Sequence, residues 1–108
     1  MIKVLRYRTA GGVEPFTEWL SSLRDKSAQA KVRVRLRRLE AGNPGDAEPV
    51  GEGVSELRVH IGAGYRVYFG RRGEALVILL CGGDKSSQKA DVKRAKELWA
   101  EWKTRNDE

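Results

Sequence analysis

The sequence predicts an α+β domain of two layers: an N-terminal strand, a helical hairpin, a three-stranded antiparallel meander and a C-terminal helix. Three observations carry that prediction. Residues 56–69, ELRVHIGAGYRVYF, alternate apolar and polar side chains on either side of a Gly-Ala-Gly break; residues 15–39 repeat apolar side chains at helical spacing; and residues 75–82, ALVILLCG, are apolar on both alternations. A chain of 108 residues holds one domain around one modest core.

Residues 2–8, IKVLRYR, mix strand-forming and basic residues and read as the first strand. After the break TAGGVE, Pro15 suits the first position of a helix, and Phe16, Trp19, Leu20 and Leu23 make its apolar stripe. Asp25 or Ser27 can cap a second helix that runs to a stop at Gly42, with Ala28, Val32, Leu36 and Leu39 as its stripe. Lys31, Arg33, Arg35, Arg37 and Arg38 cover the rest of that helix. Two such helices joined tightly predict a helical hairpin laid on a sheet.

Residues 42–56, GNPGDAEPVGEGVSE, lack periodicity and read as a long loop, either functional or tied down by Val50 and Val54. Strands are expected at 56–61, 65–70 and 75–82, antiparallel because short turns join them. The last is a central strand covered on both faces. A final helix is expected from Ser86 or Ser87, with Val92, Ala95, Trp99 and Trp102 inward and residues 104–108 as a fraying tail.

Charge and composition narrow the function. The net charge of +6 points to a polyanionic partner: nucleic acid, an acidic protein or an anionic membrane surface. No segment offers the roughly 20 apolar residues of a membrane span, and the N-terminus lacks the apolar core of a signal peptide, so a cytoplasmic protein is expected. The single Cys81 fits a reducing compartment and, within LVILLC, a core position. One His and one Cys do not make a zinc site by the usual ligands, and no phosphate-cradling or dinucleotide motif is present, so neither metal nor cofactor is expected. Asp46, Glu48, Glu52 and Glu56 lie in or beside the loop with nothing in their spacing that points to paired-carboxylate hydrolysis.

A three-residue turn at 62–64 would place Ile61 opposite Tyr65, Val59 opposite Val67 and Leu57 opposite Phe69 on one apolar face. On the other face His60 would then meet Arg66, and Arg58 would meet Tyr68. Cations set opposite each other repel unless an anion lies between them. Lys85, in GGDKSS at the junction of the last strand and the last helix, would add a cation beside free backbone N–H groups.

The segments GVSELRVHIGAGYRVYF and LVILLCGGDKSSQKADVKRAKE, in this order, resemble the RelE/ParE superfamily of bacterial toxins from type II toxin–antitoxin modules, and most closely its HigB-like branch of addiction-module killer proteins. The resemblance spans nearly the whole chain. It implies a four-stranded RelE-like sheet with the helical hairpin on one face and, on the other, a concave surface that cuts mRNA in the ribosomal A site without a metal. The family's site positions fall on Arg58, His60, Arg66 and Lys85.

In that chemistry a ribose 2′-OH attacks the adjacent phosphate. Arg66 and Lys85 would stabilise the phosphorane, Arg58 would position the phosphate, and His60 would serve as general base or acid. An unperturbed imidazole titrates near pH 6.5, and cations beside it would lower that value. Tyr68 would stack on a base or donate to phosphate, and the exposed arginines of the second helix, Arg33 and Arg37, are further candidates for substrate binding. The resemblance also implies a cognate antitoxin as partner. RelE members carry a catalytic Tyr near the C-terminus, whereas QKADVKRAKE here has none, which leaves Asp84 or His60 for the proton-transfer role, or catalysis slow or absent. Two other functions fit the same superfamily or charge: a ParE-like inhibitor of DNA gyrase, and a non-catalytic module that binds nucleic acid or an acidic partner.

Overall fold

The computed structural model describes residues 1–106, and the elements follow the expected order. β1 (Lys3–Arg6) leads to α1 (Pro15–Ser22) and α2 (Lys26–Glu40). Four strands follow, β2 (Ala47–Gly51), β3 (Val54–Val59), β4 (Tyr65–Arg72) and β5 (Leu76–Asp84), and a 3₁₀ turn at Lys85–Ser87 opens into α3 (Gln88–Asn106). The strands form one mixed five-stranded sheet in the order β1-β5-β4-β3-β2. β1 is parallel to β5, and every other pairing is antiparallel.

Local chemistry explains the helical hairpin. Pro15 occupies the start of α1, where its missing N–H costs nothing, and Phe16 and Leu20 are buried. Asp25 caps α2 by accepting from the N–H groups of Ser27 (2.9 Å) and Ala28 (3.2 Å). Beyond α2, Gly42 takes a φ of +92°, which lets its N–H and that of Asn43 reach back to the carbonyls of Leu39 (2.9 Å) and Arg38 (2.8 Å). Ala28, Val32, Leu36 and Leu39 are all buried, as their spacing predicts.

The core lies on both faces of the sheet. On one, α1 and α2 pack Phe16, Leu20, Val32, Leu36 and Leu39 against Leu57, Val59, Val67, Phe69, Val77 and Leu79. On the other, Ala95 and Trp99 of α3 pack against Tyr68, Ile78, Leu80 and Cys81. β5 is therefore covered on both faces, as expected of its apolar run. Burial pushes the Cys81 thiol up to about 12, which leaves it a core residue without nucleophilic character at neutral pH. Where the indoles of Trp99 and Trp19 meet the sheet at Gly70 and Gly82, only glycine fits. A Cβ on Gly70 would lie 2.2 Å from Cε3 of Trp99, and one on Gly82 would lie 2.3 Å from Cε3 of Trp19.

Three expectations change. The segment read as a loop contains β2, which pairs with β3 and makes the sheet five-stranded instead of four-stranded. Its turn is built by positive φ at Gly51, Glu52 and Gly53; Pro49 within it is tolerated because β2 is an edge strand. Val54 is buried and Val50 packs beside it, so the segment is tied down as one of the two readings had it.

The β3–β4 register also differs. Val59 faces Tyr65, Arg58 faces Arg66, Leu57 faces Val67 and Glu56 faces Tyr68. The connection is two residues longer than expected, because a turn closes within it by Gly64 N–H donating to Ile61 C=O at 3.0 Å. A slide by an even number of residues keeps every side chain on its own face, so the apolar face survives while the pairings change.

The last helix starts close to where it is expected, α3 beginning at Gln88 directly after Ser87, behind a 3₁₀ turn that Asp84 caps by accepting from the Ser86 N–H at 2.8 Å. The end expected to fray after Lys103 stays helical to Asn106, held by an ion pair of Arg105 with Glu101 at 2.6 Å and by the Arg72 guanidinium donating to Asn106 C=O at 3.2 Å. Residues 107–108 of that tail lie outside the described residues.

Candidate functional site

The polar face of the β3–β4 hairpin ends at the start of α3, and there Arg58 and Arg66 come together around a buried carboxylate, with Lys85 beside Arg66 over Gly64. Glu56 has a side chain only 2% exposed. Its Oε1 touches Arg66 Nε, its Oε2 lies 3.8 Å from Arg58 Nη2, and Gln88 Nε2 donates to it at 3.0 Å. Tyr68 Oη stands 3.5 Å from the same carboxylate. This explains how Arg58 and Arg66 can occupy facing positions: the anion that two opposed cations require is supplied by the chain itself.

Arg66 is nearly enclosed, its side chain 11% exposed. Its Nε is buried without an aligned hydrogen-bond acceptor, although Glu56 lies against it. Nη1 donates to Gly64 C=O at 3.3 Å. The Lys85 stem passes over the same glycine, where a Cβ would sit 3.2 Å from Lys85 Cε. Gly64 therefore serves as the common floor of the two cations. Lys85 is exposed and has no carboxylate partner among the described residues, so its ammonium is available to an incoming anion.

His60 lies outside the ladder, in the β3–β4 connection, with its side chain 71% exposed. It does not meet Arg66. Its Nε2 pairs instead with Asp46 Oδ2, and Asp46 Oδ1 lies 3.4 Å from Arg58 Nη1. The hydrogen bond from His60, followed by the charge of Arg58, holds the Asp46 carboxyl below its ordinary range. An ionised Asp46 can only accept, so Nε2 is the ring nitrogen that can donate to it, and Nδ1 is the one Asp46 does not engage. Arg58 is further engaged by Glu48 at 2.8 Å, and these carboxylates, Glu48 first, raise its already high pKa.

Asp46 is itself anchored by a residue that the sequence presents as one more basic side chain on α2. Arg35 points inward, donating to the carbonyls of Arg58, Pro44 (3.0 Å) and Asp46 (3.4 Å). The Arg58 N–H also donates to Asp46 C=O at 2.9 Å. Neither Asp46 nor Arg35 was assigned a role from sequence; the available signal was Gly45, whose φ of +67° brings its backbone against the Arg35 guanidinium.

The remaining expected residues lie elsewhere. Tyr68 is fully buried under α3 and faces Glu56 rather than Arg58, so its ring is not open to stacking. Burial and the Glu56 charge raise its pKa strongly. Arg33 and Arg37 are exposed on α2, over the opposite face of the sheet, where they line a groove beside β1. Among the described residues no helix is long and apolar enough to cross a membrane.

Two comparisons with known proteins bear on this arrangement. Residues 18–99 match the model of a family described as "Phage derived protein Gp49-like (DUF891)". A protein of Haemophilus influenzae, described as an uncharacterized protein, is 52% identical over 83 residues, which cover 77% of this chain and 84% of that protein. The family match takes in most of the chain and the whole cluster from Arg35 to Gln88, and the chain accordingly belongs to the phage-derived Gp49-like family.

Proposed function

We propose that this protein is the toxin of a type II toxin–antitoxin module and that it cuts mRNA by metal-free transesterification on the ribosome. The observation that carries the reading is the convergence of Arg58, Arg66 and Lys85 at one end of the hairpin, beside an exposed His60–Asp46 pair. A phosphodiester laid across that rim meets cations and a proton-transfer group together. His60 Nδ1 takes the proton of the 2′-OH as its oxygen bonds to phosphorus. Arg66 and Lys85 hold the phosphorane charge, the bond from phosphorus to the 5′ oxygen breaks, and that oxygen takes a proton from water. The products are a 2′,3′-cyclic phosphate and a 5′-hydroxyl. The Asp46 carboxylate, bound to Nε2, orients the His60 ring for that proton transfer.

The test is to add the purified protein to translating ribosomes and map mRNA 5′ ends. New ends that disappear with His60→Ala and with Arg66→Ala are expected. Intact message accompanying growth arrest would overturn the reading, and altered DNA supercoiling in the same cells would point to gyrase.

A further inference from the structure

The catalytic reading leaves the opposite side of the molecule unused. There β1 is an edge strand with no strand beside its outer side among the described residues. The N–H groups of Lys3 and Tyr7 turn inward to the carbonyls of Ala75 and Leu79, both at 2.8 Å. In a parallel pair the alternate residues, Val4 and Arg6, therefore direct their backbone groups outward. One such outward donor, the Ile2 N–H, already finds an acceptor, Glu40 C=O at the end of α2, at 2.8 Å.

A groove runs between this strand and α2. Val4, Leu36 and Leu79 give it an apolar floor, and Arg6, Arg33 and Arg37 rim it, against one carboxylate, Glu40. Arg33 and Arg37 have no ion-pair partner among the described residues. On the other face of the same edge, Leu5 is 40% exposed. An unpaired edge carrying an exposed leucine is a liability unless something covers it.

We infer that this groove docks an extended, acidic protein segment that adds as a strand to the free edge of β1, with alternate side chains on the apolar floor and carboxylates against Arg6, Arg33 and Arg37. The ladder gives affinity and the arginines select the charge. RNA could satisfy the arginines but has no use for the outward N–H and C=O groups or for the apolar floor. A free small molecule fits poorly, because the groove encloses about 220 Å³ where such pockets begin near roughly 300 Å³. The inference rests on the toxin reading only for the source of the segment, which would be the inhibitory partner.

The test uses the full chain and a fluorescein-labelled octapeptide of alternating Glu and Val, with a Lys–Val octapeptide and an RNA octanucleotide as comparisons. The Glu–Val peptide should bind, and the Arg33→Glu/Arg37→Glu variant, whose fold is checked by circular dichroism, should bind it at least tenfold more weakly. Amide exchange at Val4 and Arg6 should slow at least tenfold with peptide present. Absence of peptide binding, insensitivity to the charge reversal, or unchanged exchange at Val4 and Arg6 would each overturn the inference. So would RNA binding that the charge reversal abolishes while peptide binding persists, or self-association through this face. No ribosome enters the assay, so its failure leaves the cleavage reading standing, and failure of cleavage leaves this one standing.

Discussion

Replacing Glu56 by Gln keeps the shape of the side chain and removes its charge. Arg66 is then left with its side chain 11% exposed and no counter-ion in contact, while Arg58 still faces it across the ladder. Removing one partner of a buried pair costs about 3–5 kcal/mol. The amide keeps a polar oxygen against Arg66, so the lower end applies, about 3 kcal/mol, a large share of the roughly 5–15 kcal/mol that holds such a domain folded. At about 4 °C per kcal/mol for a chain of this size, the melting temperature should fall by about 12 °C. Urea unfolding followed by tryptophan fluorescence reads this directly. The same measurement on Arg66→Met and on the double variant closes a cycle. If the pair acts as a unit, the double variant should lose much less than the two single losses together, because neither charge is then left unpaired. A loss below about 1 kcal/mol for Glu56→Gln, or additivity within about 0.5 kcal/mol, would refute the view of Glu56 as the internal counter-ion of the two arginines.

Asp46→Asn should keep the fold but disorient His60 and lower mRNA cleavage by about 10²-fold, read from the rate at which new 5′ ends appear; an unchanged rate would remove the His60–Asp46 pair from the chemistry. Asp84, held below the ordinary carboxylate range first by its hydrogen bonds from Ser86, should stabilise the fold fully above its unfolded value near pH 3.9 and lose that contribution as pH falls through its lower folded value. The stability difference between wild type and Asp84→Asn should therefore shrink between neutral pH and pH 2, and a constant difference would contradict the assignment. Gly70→Ala should destabilise by about 1–3 kcal/mol and shift tryptophan emission as Trp99 is displaced, whereas Gly11→Ala, whose Cβ would meet only Thr9 Oγ1 at 3.8 Å, should change stability by less than about 0.5 kcal/mol.

What the sequence reveals follows from which forces act locally. Helices α1 and α2 are legible because Pro15, Asp25 and Gly42 mark their limits and the stripes between them are regular. The double alternation of β5 likewise reports burial on both faces. β2 is not legible, since its pairing comes from β3 and its residues, AEPVG, carry no alternation. The hairpin register fails for a related reason: the length of the connection depends on where a turn closes around Gly62 and Gly64, and glycines permit several answers. Arg58, Arg66 and Lys85 could be singled out as surface cations. The carboxylates that organise them could not, because Glu56 and Asp46 acquire their partners only through long-range contacts with Arg66, Gln88 and His60. Tyr68 shows the same limit from the other side: alternation gives its face correctly but says nothing of the helix that covers that face.

The parallel pairing of β1 with β5 also sets a schedule for synthesis. Lys3 waits for Leu76, and Arg6 for Leu79, so the first strand leaves the ribosome roughly 4 to 15 s before its partner exists, at about 5–20 residues per second. Arg66 faces Gly83 across β4 and β5, and Lys85 comes later still. A product stalled before Lys85 therefore has no complete cation cluster, and the cell meets the assembled surface only after β5 and the turn that follows it have been made.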